Sequence, residues 1–178
     1  MKKAIGILLL PILFGGLVSC TKSDSAPTLT QPSFVIDGKS INLNGISTAH
    51  LYSTGDSLIV INSNTADSTA FNNIQIGNNT SINYAVILIG SNSSLKVGTY
   101  TTSQTNLSML VLGLQYQNLY YTGGKVPSAS TPGICTVNIT SLSDSAVSGT
   151  YSGTVYNTTG GMGVLTKTVR GSFKANLQ

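Results

Sequence analysis

Several of the side chains on which enzymes most often rely are scarce in this sequence. Its 178 residues include no glutamate, five aspartates and a single histidine, His50, and charged residues make up 8% of the chain. The aspartates are dispersed, and none belongs to a calcium-binding D-x-D-x-D-G loop. A lone histidine is more often a surface or core residue than a ligand or a catalyst. The sequence therefore predicts that the protein is not an enzyme and that it holds no metal ion or cofactor.

The positive charges are also few, and they are scattered. Lys2 and Lys3 are two of the nine Lys and Arg residues, and the remaining seven exceed the five aspartates by two. They form no basic stripe along the chain, so we do not expect a nucleic acid as a partner. Ser, Thr, Asn and Gly are abundant, whereas strong helix formers are sparse. Because threonine and valine favour strands and Ser, Asn and Gly favour turns, the composition predicts an all-β domain.

The first twenty residues have the pattern of an export signal. Two lysines precede an apolar run, 4–14, which is too short to span a bilayer comfortably. The segment ends in Leu17-Val18-Ser19-Cys20, which resembles a bacterial lipobox. That resemblance implies a diacylglyceryl group on the Cys20 thiol, cleavage before Cys20 and acylation of the new amine. An ordinary secretory signal with a chance cysteine is the alternative.

These features divide the chain into three parts. Residues 1–19 are predicted to be a lipoprotein signal peptide. Residues 20–32 contain the lipidated cysteine and a polar, proline-containing stretch that is typical of a flexible tether. Residues 33–178 are predicted to form one all-β domain, since they are enough for a single core of useful size. The predicted partner at the N-terminus is a membrane, reached through the lipid anchor.

The second cysteine, Cys135, has no partner for an intrachain disulfide if Cys20 carries lipid. An unpaired thiol in an oxidising compartment is a liability unless it is buried. Cys135, Val137 and Ile139 alternate with Thr136 and two further polar residues, as expected for a strand with one face in a core. We therefore interpret Cys135 as a small core residue rather than as a nucleophile.

Strand and turn signals follow one another at short intervals. Asp37-Gly38 lies between alternating apolar residues and predicts a tight hairpin, because a type I′ turn needs positive φ at both central positions. Residues 147–155 and 165–177 alternate cleanly and predict a long terminal hairpin. Further strands are predicted at 49–52, 58–61, 70–76, 84–89 and 109–116, with weaker signals at 96–102 and 119–121. The predicted fold is a single antiparallel β-sandwich, with a closed β-barrel as the alternative.

Four groups of residues together resemble a known family. They are the hairpin with Asp37-Gly38-Lys39, the Gly-Thr-Tyr at 98–100, the stretch 137–155 and the Gly-Ser-Phe at 171–173. With the lipobox, this set resembles small lipoproteins of Bacteroidota whose function is unknown. The resemblance covers most of the mature chain, but its motifs are structural. It implies the compartment and the fold and adds no activity.

Three tyrosines are candidates for ligand binding. Tyr116, Tyr120 and Tyr121 lie close together in sequence, and exposed tyrosine rings can form an aromatic platform for a sugar. The alternative is that these tyrosines lie in the core of the domain or at its rim and bind no ligand. An exposed coplanar pair favours glycan or small-ligand binding, whereas buried tyrosines favour a structural or interaction role.

Four Asp-Ser-x triplets stand out. Their serines are Ser25, Ser57, Ser68 and Ser145, and the third residue is Ala, Leu or Thr. The triplets resemble the O-glycosylation motif of Bacteroidota, which implies glycans on these four hydroxyls. The alternative is that Asp-Ser is simply favourable in turns.

The sequence as a whole predicts a non-enzymatic lipoprotein of the cell envelope, acting by structure or interaction. A glycan- or small-ligand-binding lipoprotein is the alternative. The predicted location is the outer membrane, with the leaflet left open, and the expected partner besides the membrane is a glycan or an envelope protein.

Overall fold

A computed structural model describes residues 31–52, 56–65, 82–125, 133–157 and 166–178. These residues form eleven strands and no helix, so none of them belongs to a helix that could cross a membrane. The strands are β1 (Ser33–Ile36), β2 (Lys39–Asn42), β3 (Ser47–Tyr52), β4 (Ser57–Ser63), β5 (Tyr84–Ser91), β6 (Gly98–Thr101), β7 (Leu107–Tyr116), β8 (Leu119–Lys125), β9 (Cys135–Leu142), β10 (Ala146–Asn157) and β11 (Thr166–Leu177). The strand predicted at 70–76 lies outside the described residues.

The strands form one sheet, mostly antiparallel, that folds over on itself into two layers. Strands β2-β1-β11-β10-β9-β6 form a six-stranded layer, and β3-β4-β5-β7-β8 form a five-stranded layer. Short pairings join the layers at two corners: β11 runs parallel to β3 at Asn176↔Thr48, and β10 pairs with β8 at Tyr156↔Thr122. The prediction of an all-β fold is confirmed, and its arrangement is sandwich-like.

Two predicted hairpins are present with the expected geometry. Asp37 and Gly38 have φ of 51° and 73°, so both central residues of the β1–β2 turn are left-handed, as a type I′ turn requires. The Asp37 carboxylate also accepts hydrogen bonds from Lys167 Nζ at 2.8 and 2.9 Å, which ties this turn to β11. Strands β10 and β11 pair continuously from Ala146↔Asn176 to Tyr156↔Thr166, which confirms the long terminal hairpin.

The core lies between the two layers. Phe34 on β1 and Tyr116 on β7 meet edge to face, with ring centroids 6.1 Å apart, so aromatic packing bridges the layers. The largest side chains with almost no exposed surface are Phe34, Phe173, Ile36, Leu43, Leu58, Ile87, Ile89, Leu107, Leu110, Leu112, Leu114 and Ile139. Cys135 is fully buried among them, as its strand pattern predicts.

Strand β5 lies in the middle of the five-stranded layer, between β4 and β7. Its continuous apolar sequence predicts a central strand covered on both faces. Ile87 and Ile89 are fully buried in the core, while Val86 and Leu88 on the other face are half-buried. The central position is therefore as predicted, and the outward side is covered less completely than the core side.

Candidate functional site

The outward surface of the six-stranded layer carries two rows of polar side chains, and we call it the polar face. Paired residues of neighbouring strands point to the same side of a sheet, so the register defines each row. The first row contains Asn42, Ser33, Ser172, Thr150, Asn138 and Thr99. The second row contains Ser40, Val35, Arg170, Ser152, Thr136 and Thr101. Val35 is the one apolar member, so the surface is almost entirely made of hydroxyl and amide groups.

The alternation of the long hairpin creates the middle of this face. On β10, Tyr151 and Val155 point into the core, whereas Thr150 and Ser152, on either side of Tyr151, point outward. The same alternation on β11 buries Phe173 and leaves its neighbours outside. Because β1, β9 and β6 pair alongside with matching parity, their polar side chains extend the two rows across all six strands.

Hydrogen bonds within the rows hold some of these groups in place. Ser33 Oγ and Ser172 Oγ are 3.3 Å apart, and Thr99 Oγ1 donates to Asn138 Oδ1 at 3.3 Å. Ser172 Oγ also donates to the carbonyl of Gln31 at 3.2 Å, so the chain enters the domain beside the first row. These bonds hold row members on both sides of Thr150, whose own hydroxyl makes no side-chain hydrogen bond within the described part of the chain.

A shallow depression of about 430 Å³ lies over the centre of the polar face. Its lining includes four members of each row: Ser33, Ser172, Thr150, Asn138, Val35, Arg170, Ser152 and Thr136. Gly171 lines it too, and a Cβ there would lie 2.5 Å from the Tyr151 hydroxyl, which donates to the Ser33 carbonyl at 3.2 Å. The absence of a side chain at Gly171 therefore lets Tyr151 brace β1 from beneath. The volume falls within the range of ligand-binding pockets, about 300–1,000 Å³.

The charge on the polar face is positive. Arg170 and Lys174 are both exposed on β11 and point outward with the rows. Neither side chain forms an ion pair or a hydrogen bond within the described ranges, in contrast to Lys167, whose pKa is raised by its hydrogen bond to Asp37. The aspartates among the described residues lie in turns, not on this face. The surface therefore offers two free cations and no nearby carboxylate to neutralise them.

The three tyrosines proposed as a sugar platform do not share one surface. Tyr116 and Tyr121 are buried in the main core, at 6% and 3% exposure. Tyr120 is the neighbour of Tyr121 in a strand, so it points to the opposite side, where it packs with Ile82 and Tyr84. Burial raises the pKa of Tyr84 to about 12, and the nearby Tyr120 adds to the rise. The structure thus places two of the three rings inside the domain and the third on the outward side of the five-stranded layer.

The remaining predicted sites fall into two groups. Ser145 is exposed in the turn between β9 and β10, where its backbone N–H donates to Ser143 Oγ at 3.4 Å. Ser57 is the first residue of β4 and is half-buried. Cys20, Ser25 and Ser68 lie outside the described residues, so their predicted lipidation and glycosylation remain predictions.

Cys135 and His50 lie on different strands, β9 and β3. Burial raises the pKa of the Cys135 thiol to about 11, which keeps it neutral at ordinary pH. His50 is half-buried on β3 beside Tyr52, with ring centroids 6.0 Å apart. Over the part of the chain that the structure describes, no three His, Cys, Asp or Glu residues cluster closely enough to hold a metal ion.

Sequence reasoning missed the polar face because the face depends on strand order. The outward hydroxyls of 148–154 were visible as one half of an alternating pattern, and this was the available signal. That β1, β9 and β6 align with them could not be read from the chain, since β6 and β9 are far apart in sequence. No model of a known protein family, no curated protein and no solved structure matches this chain.

Proposed function

We propose that this chain is a non-enzymatic lipoprotein of the cell envelope whose β-domain is a binding module. The polar face carries the proposal: two rows of hydroxyl and amide groups span six strands around a depression of about 430 Å³. A surface with that many outward donors and acceptors on a rigid sheet is suited to recognition, because strands position side chains more accurately than loops do. The lipobox at 17–20 supports the membrane anchor.

The proposed anchor sets where such a module works. Three acyl chains at Cys20 bind a bilayer almost permanently, since each buried methylene contributes about 0.8 kcal/mol. From Cys20 to Pro32 the chain reaches at most about 40 Å when fully extended, at 3.3–3.6 Å per residue. A ligand of the polar face is therefore a component of the envelope within the combined reach of the tether and the domain.

The lipid-free mature chain tests the module apart from its anchor. Residues 20–178 carrying Cys20→Ala are mixed with isolated envelopes of the native host and sedimented. We expect the protein to sediment with the envelopes, because the polar face contributes binding that does not need lipid. A protein that stays in the supernatant at all concentrations contradicts the proposal.

A matched pair of substitutions assigns that binding to the polar face. Ser152→Tyr places a ring over the depression from an exposed position, and Ser94→Tyr places the same ring on the exposed loop between β5 and β6. We expect Ser152→Tyr to release the protein and Ser94→Tyr to leave it bound. Equal sedimentation of both variants means that the domain binds through a different surface.

Experiments on intact cells and fractionated membranes identify the membrane and the leaflet that hold the protein. We propose the outer membrane, in keeping with the resemblance to Bacteroidota lipoproteins. Protease treatment of intact cells, with a periplasmic protein as the control, removes an outward-facing copy and leaves an inward-facing one. Sedimentation with the inner membrane on a sucrose gradient contradicts the outer-membrane assignment.

A further inference from the structure

The chemistry of the polar face also indicates its ligand. We propose that it binds an acidic polysaccharide, a hydroxyl-rich chain that carries carboxylate or sulfate groups; this inference rests on the proposed function of the domain as a binding module. The side chains of the face, its extent and its charge each fit such a ligand. Tyr116, Tyr120 and Tyr121 take no part, because they lie elsewhere.

The side chains match a polyol better than they match a protein surface. Ser and Thr hydroxyls each donate and accept hydrogen bonds, as sugar hydroxyls do, so a pair can be satisfied in either direction. Thr150 and Ser152 in the centre of the face make no side-chain hydrogen bond within the described part of the chain and remain available to a ligand. The cores of protein interfaces, in contrast, are rich in aromatic residues and poor in serine. Here Val35 is the single apolar member of the two rows.

The extent of the face fits a polymer. Six strands with a spacing of about 4.8 Å give each row a length of about 24 Å. The two rows are two residues apart along the strands, which is about 7 Å. An extended oligosaccharide of several units can therefore lie along the rows and contact both, whereas a single sugar covers only the central depression.

The charge of the face selects an anionic chain. Arg170 in the second row and Lys174 beyond the first row lie four residues apart on β11, or about 13 Å. An arginine guanidinium binds carboxylate or sulfate through two parallel hydrogen bonds, which gives it both strength and direction. Arg170 is exposed at the edge of the depression and makes no ion pair within the described residues. The hydroxyl rows thus hold the sugar units, and the two cations pair with their acidic groups.

Nucleic acid fits the same surface poorly. Single-stranded nucleic acids are bound by basic grooves with aromatic side chains on which the bases stack. The two rows contain no aromatic residue, and Arg170 is their one cation. A protein partner is the remaining alternative, and the experiment below separates it from a polysaccharide.

Binding is measured by affinity electrophoresis of the lipid-free mature chain through gels that contain polygalacturonate, dextran sulfate or neutral dextran. We expect retardation in one or both acidic gels and none in neutral dextran, and the two acidic gels distinguish carboxylate from sulfate. Arg170→Gln and the double variant with Lys174→Gln remove the cations. Lys96→Gln is the matched control, because Lys96 is an exposed lysine in a loop. We expect about tenfold weaker binding for the double variant, as for the loss of a charge-assisted hydrogen bond, and no change for the control.

A neutral substitution tests the hydroxyl rows separately. Thr150→Val keeps the shape and the β-branching of the side chain and removes its hydroxyl, so binding weakens while net charge and fold stay the same. Circular dichroism and the unfolding midpoint of each variant confirm that the domain remains folded.

Three results overturn the inference. Equal retardation in all three gels, or in none, shows that the face does not select an acidic polysaccharide. Loss of binding with Lys96→Gln as large as with Arg170→Gln shows that only net charge matters. Binding to a protein is the third such result: both Ser152→Tyr and protease treatment of the envelopes then prevent the chain from sedimenting with the envelopes. In that case the inference fails, while the proposed binding module stands. If the lipid-free chain never sediments with envelopes, the proposed function itself fails.

Discussion

Alkaline pH should destabilise this domain through Cys135, a residue with no exposed surface. The thiol on β9 faces Gly153 so closely that a Cβ at that glycine would lie 2.8 Å from Sγ. Loss of hydration raises the pKa of Cys135 from 9.0 to about 11 in the folded protein. The folded state therefore keeps its proton in a range where the unfolded chain has already released it.

The sign and size of the effect follow from that difference. Between pH 9 and 11 the unfolded state binds fewer protons than the folded state, so the free energy of unfolding falls as the pH rises. Two pKa units correspond to about 2.7 kcal/mol at the limit, of which about 1.4 kcal/mol is lost by pH 10. Well below pH 9 both states are neutral, and the contribution is fully present.

Urea unfolding of the lipid-free mature chain and of its Cys135→Ala variant, at pH 8, 9, 10 and 11 with reductant present, measures how the free energy of unfolding depends on the thiol. Burial also raises the pKa of Tyr84 and Tyr151, which destabilises both proteins equally at high pH. The difference between the two proteins therefore isolates the thiol. We expect the wild-type advantage to shrink by about 1.4 kcal/mol between pH 8 and pH 10. A difference that stays constant with pH, or rapid labelling of Cys135 by a thiol reagent in the native state, refutes the reasoning.

Three further predictions concern other parts of the chain. Intact-mass analysis of the membrane fraction should show a chain that begins at Cys20 with a diacylglyceryl-type adduct, and a soluble wild-type protein indistinguishable from Cys20→Ala contradicts it. Glycopeptide mass spectrometry from the native host should find Ser25 and Ser145 more fully modified than Ser57, because Ser145 is exposed whereas Ser57 is half-buried at the start of β4. If these peptides are unmodified in a strain that glycosylates other exported proteins, the Asp-Ser-x triplets are turn sequences and not glycosylation sites. Asn62 is fully buried, and its side-chain amide has no hydrogen-bond partner among the described residues, so Asn62→Leu should raise the free energy of unfolding by about 1–2 kcal/mol. A lower unfolding midpoint in urea for Asn62→Leu contradicts that account.

Local signals were sufficient where structure is set by neighbouring residues. Asp37-Gly38 predicts its turn because few other residue pairs readily adopt two consecutive left-handed conformations. The β7–β8 turn has the same geometry, with φ of 50° at Gln117 and 64° at Asn118, but contains no glycine and gave no signal. The alternation of side chains along a strand also predicts that Tyr120 and Tyr121 point to opposite sides of the sheet, because they are adjacent in one strand. The two rings therefore cannot form one platform.

Strand order was the part that sequence could not supply. Strand β6 pairs with β9 and leaves β7 and β8 in the other layer, so the neighbours in space are not the neighbours in the chain. Pairings of this kind depend on how well whole layers pack, and no single residue specifies them. The predicted terminal hairpin already places Arg170 and Thr150 on one surface, whereas the pairings of β1 with β11 and of β6 with β9, which widen that surface, gave no local signal.

The position of β11 has a consequence for the order in which the domain can assemble. This strand pairs with β1, β10 and β3, and the backbone N–H of Gln178, which follows it, donates to the carbonyl of Ala49 at 3.0 Å. Every partner of β11 precedes it in the chain, so none of these pairings can form while the chain emerges N-terminus first. Among the described strands, β11 is the only one that pairs with the β1–β2 hairpin, so the hairpin cannot join the sheet before β11 is present. The domain therefore stays open until β11 is present and can pair with β1, β10 and β3.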